Sequence, residues 1–414
     1  MEQEKFSIVI AGLALCLALL PSFSDAAAHG EKFQPADLRV RSVQWYDTQL
    51  SRSSASINDV VTLKGKFYIS TNWPNSSPTK PPQAFLHTGA TEPTLLRLDT
   101  RINGVKQAAP ASLQLGRHYE YEIALKARVP GRSHVHPVLH VENASPLIGP
   151  GKWIDVTGDF ADFNYVVKAM AGTEFDIENT ARQTAITWYW VWAAIGLLWL
   201  VYLFVTKAPP LTSRLQRAGR RGERANRLMA RVTPILRPII LMAILGLGVA
   251  NLFWVMDGDP LGNSLQNGKI DAAPLAELPK AVDAKVESAV YDTPARSLQM
   301  QIEVSNRTSV PLRLGEISSS YVRFINPDVL GNAQGDDRDE AIALDGLIVE
   351  GGAIAPGETN TLNVMARDLI WETERLSNLS NISDGQFAAL MHFYTPTGDR
   401  LLTEITGVIR PAFR

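Results

Sequence analysis

The sequence predicts a mainly β protein with a transmembrane helical hairpin: two exterior β-sandwich or barrel domains joined by two membrane-spanning helices. Three observations carry this prediction. Residues 183–206 contain no charged side chain, apolar and polar residues alternate with period two on both sides of the membrane region, and the loop between the two spans is strongly basic.

The first span is expected at 183–206, with its apolar core running from Ile186 to Val205. A helix needs about 20 such residues to cross a hydrocarbon layer of about 30 Å. The second, 238–256, lies between Arg237 and Asp257 and only just reaches that length. Trp188, Trp190 and Trp192 at one end of the first span and Trp254 near the end of the second mark the same interfacial boundary. The connecting loop, 207–237, carries Lys207, Arg214, Arg217, Arg220, Arg221, Arg224, Arg227 and Arg231 against Glu223. So basic a loop stays in the cytoplasm, which leaves the segments on either side of the hairpin facing the exterior.

The N-terminus agrees with that orientation. Lys5, an uncharged run from Phe6 to Ser24 and the small residues Ala26, Ala27 and Ala28 describe a secretory signal over 1–28. The alternative is an uncleaved anchor helix. Cutting after Ala28 makes His29 the first residue of the mature chain.

The first exterior domain, 29–182, has alternating stretches at Leu38–Tyr46, Val60–Ile69 and Tyr119–Lys126, punctuated by segments rich in Pro, Gly, Asn and Ser. The second, 257–414, resumes after a Pro- and Gly-rich connector at Ser297–Val304, Tyr321–Ile325 and Thr361–Met365. Asn326–Glu340 reads as a long polar loop and Asp368–Leu379 as a short helix.

A net charge of -2 and the lack of a basic, aromatic-interleaved module argue against nucleic acid as a partner. The single cysteine, Cys16, falls within the signal. The mature chain then has no thiol for a disulfide, an Fe–S cluster or a blue-copper centre.

Candidate metal ligands are His29, His134 and His136. A terminal histidine offers its α-amine and its imidazole to one ion. On a strand, residues two apart share a face about 6.6 Å apart, so His134 and His136 can lean toward the same centre. His140 lies about 13 Å further along, too far without a bend. An all-nitrogen set favours copper over calcium or magnesium, with zinc chemically admissible. Glu31 either orients a ring as an outer partner or stands as a solvated charge. His87 and His118 read as surface residues, His392 as packed or solvated, and Gly149-Pro150-Gly151 as a turn.

The order His29-Gly30-Glu31, Trp45-Tyr46-Asp47, Gly65-Lys66-Phe67, Pro130-Gly131-Arg132-Ser133-His134-Val135-His136 and Ile148-Gly149-Pro150-Gly151-Lys152-Trp153, then two spans and a second β domain, resembles the B-type subunit of the particulate methane and ammonia monooxygenases. Leu312-Arg313-Leu314-Gly315-Glu316, Arg323-Phe324 and Ala355-Pro356-Gly357-Glu358-Thr359 extend the resemblance to the C-terminal half. It implies cupredoxin-like exterior domains and a copper-binding subunit of a complex that uses O2 to hydroxylate ammonia, methane or another short-chain hydrocarbon. It also implies two other integral membrane subunits, of A and C type, in a trimer of heterotrimers, and a place in the cell or intracytoplasmic membrane with both large domains on the periplasmic side. The family's mononuclear copper site falls on His29, His134 and His136. Methane-type members have two further histidines for another copper, where this chain has Gln44 and Tyr68. No catalytic residue is assigned. A membrane-anchored periplasmic copper storage or delivery protein is the alternative reading.

Overall fold

A computed structural model describes residues 36–74, 82–90, 93–142, 146–168, 172, 174–206, 239, 242–243, 245–247, 272–292, 294–319, 322–331, 342–367 and 385–412. The expected signal, the basic loop at 207–237, most of the second span and the helix expected at Asp368–Leu379 lie outside the described residues. Two compact units divide the chain: residues 1–160 together with 267–414, and residues 161–266.

The N-terminal part of the first unit contains β1 (Val43–Leu50), β2 (Ser54–Ser56), β3 (Val60–Ile69), β4 (Gln83–Ala90), β5 (Leu95–Ile102) and β6 (Val105–Lys106). It continues with β7 (Ala111–Ser112), β8 (Arg117–Ala127), β9 (Gly131–Val141), β10 (Pro146–Ile148) and β11 (Lys152–Thr157). One sheet has the order β1-β3-β8-β5-β6 and a second the order β2-β11-β9-β4-β7, with β10 paired to β9. Trp45, Phe67, Tyr119 and Tyr121 from the first sheet share one core with Leu86, Val135, Leu139 and Ile154 from the second. Two sheets closing on interleaved side chains make this part a sandwich. Phe67 stacks on Tyr119 with ring centroids 5.3 Å apart, and Trp45 meets Tyr121 edge-on at 5.4 Å. Burying each such ring stabilises by about 1.5–3 kcal/mol.

The second unit includes the hairpin of β12 (Val166–Lys168) and β13 (Glu174–Asp176). The C-terminal part of the first unit has β14 (Val282–Asp292), β15 (Ser297–Asn306), β16 (Arg313–Ser319), β17 (Val322–Ile325), β18 (Ile342–Ala343), β19 (Leu347–Glu350), β20 (Thr359–Ala366), β21 (Gln386–Tyr394) and β22 (Arg400–Ala412). They join in the order β18-β17-β16-β21-β22-β14-β15-β20-β19, antiparallel except at β14–β22 and β17–β18. Ile302, Leu362, Phe324 and Phe387 lie in its core.

The strand expected over Leu38–Tyr46 is instead α1 (Ala36–Arg41) followed by β1. A helix turns about 100° per residue, so Leu38 and Val40 point to nearly opposite sides. Leu38 enters the N-terminal core and Val40 the C-terminal one, which a strand pointing both the same way could not achieve. The loop expected from Asn326 opens with one helical turn over Pro327–Leu330, whose first free amide, Asp328 N–H, is capped by Asn326 Oδ1.

β1 serves both parts. Val43 and Trp45 face the sandwich core, while Tyr46 and, from β3, Tyr68 pack with Leu390 and Leu402. Glu404 of β22 accepts hydrogen bonds from Tyr68 Oη (3.1 Å), Ser70 Oγ (2.5 Å) and Thr71 Oγ1 (2.6 Å). Arg400 forks onto Asp47, which sits at positive φ where the β1–β3 register shifts. Burial alone would raise the Asp47 carboxyl, but its bonds to Arg400 hold it below the usual range.

In the second unit a 30-residue helix runs over Ile177–Thr206. Asp176 caps it by accepting from Glu178 N–H at 3.0 Å. Tyr189, Trp190, Trp192, Leu197 and Leu198 are exposed along it. Among the described residues no helix is long and apolar enough to cross a membrane.

Candidate metal centre

β9 buries Val135, Leu139 and Val141 in the sandwich core, so the even-numbered residues His134, His136, Val138 and His140 occupy its opposite face. Its neighbours set what covers them. Trp153 of β11 lies opposite His134, and Gly89 of β4 lies opposite His136.

The His134 ring lies against Trp153, centroids 4.4 Å apart and planes 16° from parallel. The Arg132 guanidinium in turn sits 4.5 Å from the Trp153 ring centroid. His136 is tilted 73° to His134 with centroids 4.4 Å apart. Its Nδ1 is 2.8 Å from the Gly149 carbonyl oxygen. That contact makes Nδ1–H the donor and leaves the lone pair on Nε2. Nε2 stands 3.1 Å from His134 Nδ1.

Two nitrogens bound at right angles to one ion, each about 2.0–2.1 Å from it, lie about 2.9 Å apart. The His134–His136 pair therefore fits adjacent positions around a single transition-metal ion with little movement. Neutral nitrogen donors suit copper or zinc and are poor partners for calcium or magnesium. Both rings are 8 % exposed, close to the surface yet sheltered.

Gly149 and Gly151, read from sequence only as a turn, shape this pocket. A Cβ on Gly151 would collide with His134 Nε2 and lie 2.6 Å from His136 Cε1. One on Gly149 would meet the Trp45 indole at 2.7 Å. The signal available in the sequence was their place beside Trp153 in the Ile148–Trp153 motif.

His29 and Glu31 lie outside the described residues. Among the described residues no group of three or more His, Cys, Asp or Glu side chains gathers around one point. The structure thus brings together two of the three expected ligands.

Gln44 and Tyr68 are cross-strand partners, as a shared site would require, but each is engaged elsewhere. Gln44 Nε2 donates to the Ala388 carbonyl at 3.2 Å, and Tyr68 donates to Glu404. Three other histidines also acquire surroundings that sequence did not show. His118 contacts Tyr46 Oη through Nδ1 at 2.9 Å and the Ala276 carbonyl through Nε2 at 2.6 Å, so it is not a solitary surface residue. His87 is exposed but meets the His140 ring. His392 is fully buried beside Glu316 and Ser318.

Fold and histidine pair define the class: a mainly β protein with a candidate transition-metal site on one sandwich face. The family follows from sequence comparison. The pattern of the B-type monooxygenase subunit proteins matches residues 30–413. The chain is 36% identical over 394 residues to the particulate methane monooxygenase alpha subunit of Methylococcus capsulatus (Bath), spanning 94% of this chain and 93% of that one. The chain belongs to the family of B-type monooxygenase subunits and is part of a membrane-associated monooxygenase. Among solved structures, the cupredoxin domain of amoB from Nitrosocaldus yellowstonii is 17% identical, covering 30% of this chain and 91% of that one at a TM-score of 0.23. The N-terminal periplasmic domain of ScsB from Proteus mirabilis is 8% identical, covering 89% and 98% at a TM-score of 0.18. Scores this low carry no weight in the assignment.

Proposed function

We propose that this chain is the copper-binding subunit of a membrane-bound copper monooxygenase that uses O2 to hydroxylate ammonia, methane or another short-chain hydrocarbon. His29 supplies amine and ring, His134 supplies Nδ1 and His136 supplies Nε2, with Glu31 beside the terminal residue. The observation that carries this reading is the 3.1 Å approach of His136 Nε2 to His134 Nδ1, with the far side of His136 tied to Gly149. When bound, copper supplies the one-electron and O2 chemistry that side chains lack. The chain's own residues hold and orient. The Gly149 carbonyl fixes the His136 tautomer, Trp153 restricts the plane of His134, and Gly151 leaves the space that both rings fill.

The proposed organisation is a signal at 1–28, cupredoxin-like domains at 29–182 and 257–414, spans at 183–206 and 238–256, and a cytoplasmic loop at 207–237. The exposed aromatic and aliphatic side chains of the 30-residue helix over Ile177–Thr206 support a lipid-facing role. At about 1.5 Å per residue it measures about 45 Å, ample for a bilayer core. The described side chains stop at Leu198, so the length of the apolar run rests on the sequence. Both β domains then face the periplasm, and A- and C-type subunits complete a trimer of heterotrimers.

The test is copper analysis of the purified membrane complex, with intact mass of this chain. The expected chain begins at His29 and holds a copper with nitrogen hyperfine structure that His134→Ala and His136→Ala abolish. Acidification below about pH 5–6 releases it, because protonated ligands cannot bind. Unchanged copper in both variants would overturn the ligand assignment. Isolation as a solitary copper protein would instead favour storage or delivery.

A further inference from the structure

The face of the sandwich that holds His134 and His136 carries two more imidazoles. The β4–β9 register pairs His87 with Val138 and Phe85 with His140. His87 is therefore diagonal to His140 on the same face, a spacing within reach of long side chains. The two rings meet at a centroid distance of 5.5 Å and an angle of 77°, and both residues are exposed. We infer that His87 and His140 form a second, solvent-facing site for a divalent transition-metal ion of the copper or zinc type.

Geometry and tautomer both support the site. An imidazole bound through one nitrogen at about 2.0–2.1 Å places its centroid about 3.2 Å from the ion, so 5.5 Å between centroids corresponds to a ligand–metal–ligand angle of about 120°. His87 Nδ1 lies 2.6 Å from the Thr88 carbonyl oxygen. Nδ1–H is the donor there, and Nε2 is left with its lone pair for a metal. This is the same device by which Gly149 orients His136. His140 is held below the ordinary imidazole range by burial, then by His87 and Arg97, which keeps its ring neutral and able to ligate.

The site is distinct from the His134–His136 pair. From His136 to His140 is about 13 Å along the strand, too far for one ion to serve both. With two protein ligands, water fills the remaining positions, so the ion exchanges readily. Copper is held most tightly among the divalent first-row ions, and the nearby Arg97 opposes any cation.

The experiment is a Cu(II) titration of the purified complex by equilibrium dialysis and electron paramagnetic resonance, at micromolar free copper. The expected result is one chelator-sensitive ion per chain that His87→Ala and His140→Ala each abolish while the tightly held copper stays. The doubly substituted His134→Ala/His136→Ala protein should retain the exchangeable ion, so the two sites fail independently. Persistence of the exchangeable ion in both His87→Ala and His140→Ala, or its absence from the unsubstituted complex, would overturn the inference. Both side chains are exposed, so these substitutions leave the core packing in place.

Discussion

His134 and His136 on β9 and His392 on β21 are all largely shut off from solvent, yet their surroundings are opposite in kind. The β9 pair sees another imidazole, an indole and two glycines. His392 sees Glu316 at 3.8 Å and Ser318 Oγ at 3.2 Å, and Glu316 is itself forked by Arg323 with two bonds of 2.7 Å. Tyr46 stands edge-on to His392 from the N-terminal part. The first arrangement points nitrogen donors at each other and withholds counter-charges, which is useful chiefly to a cation that arrives later. The second is already saturated with charge and joins the two β parts of the unit. Burial of a histidine therefore says little about its role; the neighbours decide it.

Acidification should affect the His392 cluster most. Burial pushes His392 down to about 4, so its ring is neutral in the fold and charges more readily once unfolded. Burial would raise Glu316, but His392 and Arg323 bring it to about 2. Both groups make the unfolded chain bind more protons. Stability should fall from about pH 6.5 toward 4 through His392, and from about 4.5 toward 2 through Glu316, each on the order of 3 kcal/mol. Chemical denaturation across that range measures it, and a flat profile would dissolve the contrast with β9.

Glu316→Gln comes next. It leaves the Arg323 guanidinium without its counter-charge and should cost about 3 kcal/mol in urea unfolding, with copper content unchanged. Loss of copper in that variant would mean that the two regions are coupled. Gly151→Ala tests the other side. Its new methyl meets both imidazoles, and overpacking should cost about 1–3 kcal/mol and weaken copper about tenfold or more by competition with a chelator. The smallest effect is expected from Tyr68→Phe. Removing one of several donors to Glu404 should cost about 1 kcal/mol, read as a small drop in melting temperature.

Strands with one buried face were legible in the sequence. Alternation marked β3, β8, β15 and β20, and their buried positions follow it. β21 was not legible, because it is covered on both faces and its apolar run has no period. α1 imitated a strand because its two apolar residues supply different cores. The His134–His136 pair could be read from a spacing of two. The partners of His118 and His392 could not, since Ala276 and Glu316 are remote in sequence. The role of Gly151 was equally hidden, because an absent side chain matters only once its neighbours are placed.

One ribbon serving two cores restricts how this chain can be recombined with its relatives. β1 sends Trp45 one way and Tyr46 the other, while Gln44 and Tyr68 are committed to Ala388 and Glu404. A chimera that exchanges only the amino-terminal half would part these residues from their counterparts more than 300 positions downstream. Successful transplants should carry β1, β3 and the β21–β22 hairpin together, as a single heritable block.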